Sequence, residues 1–329
     1  MPRVHFVNVF PGDCTIIEHA SNRVTMIDIC DGNAETTQKA IFSEAIKSAD
    51  RVRGNFGMCS HNTNPIDYCN AIGIKRIFRF ILTHPDMDHM DGFNRLINEI
   101  GLDNFWDSGA RRDKPSFNNN SQYIEEDWDR YAKVRDGKEG GVTVVSPLAG
   151  DRFSYANKDD NNGAGDALYI LAPTKELLED PDLEDDVNEG SYVVLYQSAG
   201  GKILLCGDAH NSAFEHIAAN HASDVAGTAV MLAPHHGRDS GRSYEFLDLV
   251  KPKLTIIGCA PCQHIDYAQW SRRGLDILTS NQARNIVLDI ESGNIDVYIE
   301  NKVFAEATLG HSPTLTNNLG YYWIRRIPN

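Results

Sequence analysis

The sequence predicts a mixed α/β fold, one domain over residues 1–329 with an inserted segment at 107–166. Three observations carry this expectation. Apolar runs of strand length alternate with helix-period stretches through the whole chain, and no interdomain linker separates them. Gly-, Asn- and Pro-bearing turns bound these runs. Several of the runs end abruptly in His or Asp, at Leu82-Thr83-His84, Cys206-Gly207-Asp208 and Ala233-Pro234-His235.

Taken in order, Arg3–Phe10 is rich in Val and Phe and predicts a strand. Pro11-Gly12-Asp13 predicts a turn, and Cys14–Glu18 and Arg23–Ile29 two more strands. Glu35–Ala49 has helical spacing and Asn55–Asn64 is a polar loop. Pro65–Gly73 predicts a short helix, with Asn64 as its cap and Gly73 as its stop. Lys75–Leu82 is a strand that runs into Thr83-His84-Pro85-Asp86-Met87-Asp88-His89, and a helix follows to about Ile100. Asp107–Gly141 is rich in charge and contains an amphipathic stretch at Tyr123–Arg135. The spacing of Tyr123, Trp128 and Tyr131 suits core packing. Val142–Ser146, Arg152–Tyr155 and Ala167–Leu171 predict strands, with Lys158–Asp166 a loop between them. Glu176–Glu189 holds eight acidic residues and predicts a helix end and a solvated loop. Ser191–Gln197 and Lys202–Cys206 are strands joined by a turn at Ser198–Gly201. Asn211–His221 and Ser243–Val250 predict helices, Thr228–Ala233 and Leu254–Gly258 strands, and Asn285–Ile290 with Ile295–Glu300 a hairpin.

Composition narrows the function classes. Apolar residues at 41% against 23% charged are enough to bury a core and exclude wholesale disorder. No apolar run approaches the ~18–20 residues of a membrane span. The N-terminal MPRVHFVNVF lacks the apolar region of a secretory signal. Seven cysteines, scattered and odd in number, argue against a disulfide scaffold, so a reducing cytoplasm is expected. Thirty-one Lys and Arg against 46 Asp and Glu give a net charge of −15, which opposes broad electrostatic binding to nucleic acid but permits a local cationic site.

The stretch His84-Pro85-Asp86-Met87-Asp88-His89 puts two imidazoles and two carboxylates at the end of a buried strand. Side chains at strand ends converge on the crevice beyond the sheet. Imidazole and carboxylate both suit a hard or borderline divalent ion. Four donors in one loop point to two metals completed from elsewhere. Asp208 after Gly207, and His235 with His236, are the completing candidates. Any one of them alone would be an ordinary solvated strand-end residue; three strands ending this way are not ordinary.

These motifs resemble the metallo-β-lactamase superfamily, with its HxHxDH loop, later Gly-Asp and later His. Within it the chain resembles the ComEC-like metallo-hydrolase branch. That resemblance is carried by Asp86 in the loop, the opening Val7–Asp13, Met26-Ile27-Asp28, Asn188-Glu189-Gly190-Ser191 and Pro234-His235-His236-Gly237, over about residues 4–300. It implies a four-layer αββα sandwich. It also implies that His84 and Asp86 hold one metal, that Asp88 and His89 with His235 or His236 hold the second, and that Asp208 bridges them. Asp28 would orient a ligand histidine through its ring N–H. The superfamily's third-motif histidine is missing, since no histidine lies between His89 and His210. Asn188 and Ser191 fit the Asn-x-x-Ser element that stands there in the branch. Phe10-Pro11 and Arg238 depart from the branch pattern.

The expected activity is that of a di-metal hydrolase using a hydroxide shared between the ions, acting on phosphodiesters as a nuclease or phosphodiesterase. Two divalent ions against Asp86, Asp88 and Asp208 leave the site about +1. Zinc, manganese and iron all remain open, the carboxylate at Asp86 favouring the harder ions. His264 is the candidate acid for the leaving group. Arg238, with Ser240 and Arg242 close behind it, is the candidate for holding a phosphate oxygen. His210 reads as a helix-start residue facing solvent. Other candidate substrates are lactones, thioesters and other non-nucleic esters; a silent metal-binding interaction module is the remaining class. The expected partners are an ester substrate, down to short single-stranded nucleic acid, and no membrane. A nuclease further requires a basic groove, for which Lys75, Arg76, Arg79, Arg238, Arg242, Arg272 and Arg273 are the available cations.

Overall fold

The computed structural model describes residues 1–33, 61–118, 121–159, 163–181, 186–260 and 264–329. The helix expected at Glu35–Ala49 and most of the loop Asn55–Asn64 lie outside them, as do parts of Lys158–Asp166 and Glu176–Glu189, and Cys262. In chain order the strands are β1 (Arg3–Phe6), β2 (Thr15–Glu18), β3 (Val24–Ile27), β4 (Ile77–Leu82), β5 (Leu102–Asp107), β6 (Thr143–Val145) and β7 (Leu168–Ala172). They continue with β8 (Val193–Ser198), β9 (Gly201–Leu205), β10 (Val230–Leu232), β11 (Leu254–Ile257), β12 (Ile277–Thr279), β13 (Ile286–Glu291), β14 (Asn294–Ile299) and β15 (Tyr322–Pro328). One sheet runs β15-β14-β13-β1-β2-β3-β4-β5-β6 and the other β12-β11-β10-β9-β8-β7.

Side chains alternate across each strand and divide the core into layers. Ile81 of β4 points inward with Val4, Phe6 and Ile27, against Ile203 and Leu205 of β9 and Leu232 of β10. Its neighbours Phe80 and Leu82 point outward, under Ile66, Phe93, Leu96, Trp128 and Tyr131 of the helices Pro65–Ile72, Phe93–Glu99 and Glu125–Arg135. On the far side, Leu204 and Met231 pack beneath Phe214 and Ile217 of helix Asn211–Asn220, and beneath Leu247 and Val250 of helix Phe246–Val250. The result is the helix–sheet–sheet–helix sandwich that the motifs imply. Among the described residues no helix is long and apolar enough to cross a membrane.

One side of each sheet is parallel, out to its edge: β3-β4-β5-β6 in one and β9-β10-β11-β12 in the other. Parallel neighbours end together, so the residues following β4, β9 and β10 emerge on one edge of the sandwich. The expected strand at Arg152–Tyr155 is instead a turn. Asn157 Oδ1 accepts from Phe153 N–H at 2.9 Å while its Nδ2 donates to Asp151 O at 2.8 Å, and Tyr155 has φ 65°. Here a side-chain clamp overrides the strand propensity of Phe153 and Tyr155.

Candidate metal centre

The turn after β4 is built on Asp28. Asp28 N–H donates to Ile81 O at 3.0 Å, and its carboxylate accepts from Thr83 N–H at 2.8 Å and Thr83 Oγ1 at 2.7 Å. The chain then turns through a short 3-10 helix, Met87–His89. The Pro11–Asp13 turn packs directly on it: Gly12 has φ 140°, and a Cβ there would collide with the Asp88 carbonyl oxygen. Gly207 has φ 49°, and a Cβ would lie 2.9 Å from that of Thr83, so the end of β9 can approach the end of β4 only through glycine. His235 N–H donates to Gly207 O at 2.9 Å, which ties the end of β10 to β9.

His235 and His236 both adopt left-handed backbone, φ 52° and 55°. For residues other than glycine this conformation costs about 1–3 kcal/mol each and persists only where the surroundings enforce it. Those surroundings are the His235–Gly207 bond and Arg242 Nη1, which donates to Pro234 O at 2.9 Å. The double turn aims both rings at Asp208.

Asp208 is the hub. Its Oδ1 lies 3.4 Å from His89 Nε2, and its Oδ2 lies 4.0 Å from His84 Nε2, 3.5 Å from His235 Nε2 and 3.8 Å from His236 Nε2. His84 Nε2 is 3.7 Å from Asp86 Oδ2. Asp88 Oδ2 is 4.0 Å from His89 Nε2 and 3.7 Å from His236 Nε2. Three three-residue sets have donor atoms within 4.8 Å of one another around this hub: His84, His89 and Asp208; Asp88, His89 and His236; and Asp13, Asp208 and His236. All of the metal-site residues expected from the sequence therefore converge.

Two carboxylates fix the imidazoles from behind. Asp28 Oδ2 lies 2.8 Å from His89 Nδ1, and Asp13 Oδ2 lies 2.9 Å from His236 Nδ1. A ring nitrogen held by a carboxylate leaves the other nitrogen facing inward with a set orientation. The inward Nε2 atoms of His89 and His236 are buried without a hydrogen-bond partner, as are Asp208 Oδ1 and the Nε2 of His84, whose Nδ1 faces Thr83 Oγ1 at 3.1 Å. Buried polar atoms are almost always satisfied. A group of donors left unsatisfied and pointing at one another fits divalent cations.

The electrostatics agree. Burial alone would lower the pKa of His89, but Asp208, Asp28 and Asp88 outweigh it and hold it well above the usual value. His236 is likewise pushed up to about 10, Asp13 and Asp208 prevailing over burial. For Asp208 burial works upward, yet His236, His89 and His84 keep the carboxyl well below its usual range. His235 differs: burial prevails over Asp208 and lowers it to about 4. The pocket favours positive charge between its carboxylates.

The remaining expected residues sit around this hub. Tyr192 N–H donates to Thr83 O at 3.0 Å, which joins the start of β8 to the His84 turn. Ser191, adjacent to that join, and Asn188 carry buried oxygens, Oγ and Oδ1, with no hydrogen-bond partner. Arg238 bridges Ile265 through its backbone, and Asp239 N–H donates to His264 O at 2.7 Å, so Arg238 and His264 share one strip beside the double histidine turn. Neither side chain makes a hydrogen bond or ion pair among the described residues.

Three expectations require correction. Arg242 offers no phosphate fork: it is buried, with Nη1 spent on Pro234 O and Nη2 on Ser240 Oγ at 2.7 Å. His210 does not face solvent. Its Nε2 lies 3.2 Å from Ser240 O and its Nδ1 3.6 Å from Glu189 Oε1, so it clamps the loop after the histidines. Arg79 lines no groove; it is buried, with Nη2 3.3 Å from Asp166 Oδ2.

Sequence reasoning missed Asp13 and Arg112. Asp13 reads as a turn residue, and its only signal is its place in the Pro11-Gly12-Asp13 motif. Arg112 Nη1 donates to Asp86 Oδ1, and nothing in its sequence surroundings announces it.

No family model matches the sequence, and no curated protein does. Several solved structures are similar. Tm1679, described as a metal-dependent hydrolase of the beta-lactamase superfamily, aligns at TM-score 0.48 and 12% identity, covering 85% of this chain and 96% of that one. Igni18, a metallo hydrolase from the archaeon Ignicoccus hospitalis, aligns at 0.46 and 12%, covering 88% and 100%. CmlA, a diiron beta-hydroxylase from Streptomyces venezuelae, aligns at 0.46 and 12%, and the chain spans about half its length, 54%. These neighbours are metal-dependent enzymes of the metallo-beta-lactamase fold; at such identities they identify no reaction for this chain.

Proposed function

We propose that this chain is a metal-dependent hydrolase that holds two divalent cations and cleaves small phosphodiesters. The observation that carries the reading is the convergence of unpartnered, buried His84 Nε2, His89 Nε2, His236 Nε2 and Asp208 Oδ1. His84 and Asp86 would hold one ion and Asp88, His89 and His236 the other, with Asp208 between them. His235, facing Asp208 Oδ2, is the further imidazole donor, and Asn188 and Ser191 stand where the superfamily places its third-motif histidine. The many carboxylate oxygens suit manganese or iron as well as zinc. When bound, such ions lower the pKa of water and offset charge on the attacked centre. Asp13 and Asp28 keep the imidazoles oriented, so little reorganisation accompanies reaction. His264 would protonate a leaving alkoxide and Arg238 would hold the substrate beside it; their backbones share the strip that follows the paired histidines. The ComEC-like assignment rests on Asp86, the Asn188–Ser191 element and the paired histidines.

Substrate size follows from where the cations lie. Lys75 and Arg76 precede β4, whereas His84 follows it, so the strand's six residues, about 20 Å, separate them from the site. Arg76 pairs with Asp103 at 2.6 Å and Arg273 with Asp248 at 3.0 Å. A chain of charge −15 whose Arg76 and Arg273 are paired off and whose Lys75 and Arg76 lie at the far end of β4 disfavours duplex DNA and leaves nucleotides or short single strands. The same observation supports the second reading, a neutral ester such as a lactone. Purified protein with Mn²⁺ or Zn²⁺ should turn over bis-p-nitrophenyl phosphate, and the Asp88→Ala, His89→Ala double variant should not. Turnover of a lactone alone would refute the phosphodiester reading, and activity surviving in the double variant would refute the site.

A further inference from the structure

Arg112 lies in the segment that follows β5, and Asp107 at the end of β5 stands beside the end of β4. Both flanks of Arg112 are pinned. Arg111 Nη2 pairs with Asp107 Oδ2 at 2.9 Å, Lys114 Nζ pairs with Glu125 Oε1 at 2.6 Å and Asp129 Oδ1 at 2.5 Å, and Phe117 packs on the outer core of the first sheet. Between these anchors Arg112 reaches the candidate metal centre and donates from Nη1 to Asp86 Oδ1. The other oxygen, Asp86 Oδ2, is the one that faces His84. The carboxylate is thus divided, one oxygen turned to the cation position and one to the guanidinium.

The Arg112 side chain remains 48% exposed, and its Nε and Nη2 have no hydrogen-bond or ion-pair partner among the described residues. A guanidinium tethered through one N–H keeps its planar fork of donors in a set orientation, the arrangement suited to phosphate oxygens. We infer that Arg112 is the anion-recognition residue of this site: it takes a non-bridging oxygen of a phosphate group presented to the metal centre, and so favours anionic over neutral esters. The inference rests on the phosphodiester reading and deepens it: it adds a second guanidinium to Arg238, the arginine expected from sequence, while Arg242 behind it is already spent inside the protein.

The test is calorimetric titration of inorganic phosphate into Mn²⁺-loaded protein, with metal content measured by mass spectrometry on the same samples. Arg112→Ala should weaken phosphate binding by about 10–100-fold, as expected for losing hydrogen bonds to a charged group. Arg112→Lys should recover part of that loss, and metal content should be the same in all three proteins. Phosphate affinity within twofold of wild type in Arg112→Ala would overturn the inference. So would a metal content that falls with the affinity, since Arg112 would then act only by holding Asp86. The titration needs no turnover. A protein that binds phosphate through Arg112 yet leaves bis-p-nitrophenyl phosphate intact would refute the phosphodiesterase reading and not this one.

Discussion

At the scale of single residues, the centre depends as much on the carboxylates behind the imidazoles as on the donors in front. Asp13 and Asp28 each face the Nδ1 of a buried histidine at 2.9 and 2.8 Å. Replacing such a partner typically costs 10–100-fold in metal affinity. Asp13→Asn and Asp28→Asn should each weaken divalent-ion binding by about that range, read by competition with a chromogenic chelator. Asp28→Asn should also lower stability, because the same carboxylate carries Thr83. The contrast between these two residues shows how far a sequence can be read. Asp28 was legible because it ends a strand inside a motif. Asp13 was not, because a Pro-Gly-Asp turn explains itself locally and its tertiary role comes from β10, more than two hundred residues away.

At the scale of elements, β4 carries the fold and the site together. Its inward face holds Arg79, whose guanidinium is 1% exposed and bonds Thr25 Oγ1 at 2.8 Å, Tyr155 O at 3.1 Å and Asp166 Oδ2 at 3.3 Å. In the sequence Arg79 reads as one more basic residue beside Lys75 and Arg76; only the approach of Tyr155 O and the Asp166 carboxylate to β4 reveals it as a buried ion pair. Removing one partner of such a pair costs about 3–5 kcal/mol, since the other charge is left desolvated. Asp166→Ala should lower the stability by that order, measured from the urea midpoint. The helix Pro65–Ile72 was legible to its ends: Asn64 Oδ1 accepts from Ile66 N–H at 2.9 Å, and Gly73 closes it with φ 87°. Asn64→Ala should cost about 1 kcal/mol. Local chemistry of this kind is written in adjacent residues. Three strands escaped: Ile277–Thr279 has only three residues, and Leu102–Asp107 and Tyr322–Pro328 carry charged members that interrupt the apolar run, so each gains its structure from neighbours distant in sequence.

At the scale of the whole molecule, the packing of the two sheets buries a histidine. His19 is 5% exposed, its Nε2 lies 2.8 Å from Thr25 Oγ1, and its ring meets Tyr196 of the second sheet edge-on. Burial lowers its pKa to about 3. The unfolded chain, with a pKa of about 6.5, binds this proton first, so stability falls as pH drops from about 6.5 toward 3. The loss attributable to His19 should reach about 2 kcal/mol at pH 5, and His19→Gln should be correspondingly less sensitive over that interval in denaturant midpoints. The alternation of apolar runs made both sheets legible in outline, and strand ends bearing His and Asp made the site legible in composition; which cations guard it depended on the folded surface. The central claim is that the ends of β4, β9 and β10 together cage two cations. Its most direct measurement is the metal content of protein loaded with Mn²⁺ or Zn²⁺ and then desalted, for wild type and Asp208→Ala. The account predicts two ions per wild-type chain, with a higher melting temperature than the metal-free protein, and loss of both ions in the variant. A wild-type chain that retains none and melts unchanged would contradict it.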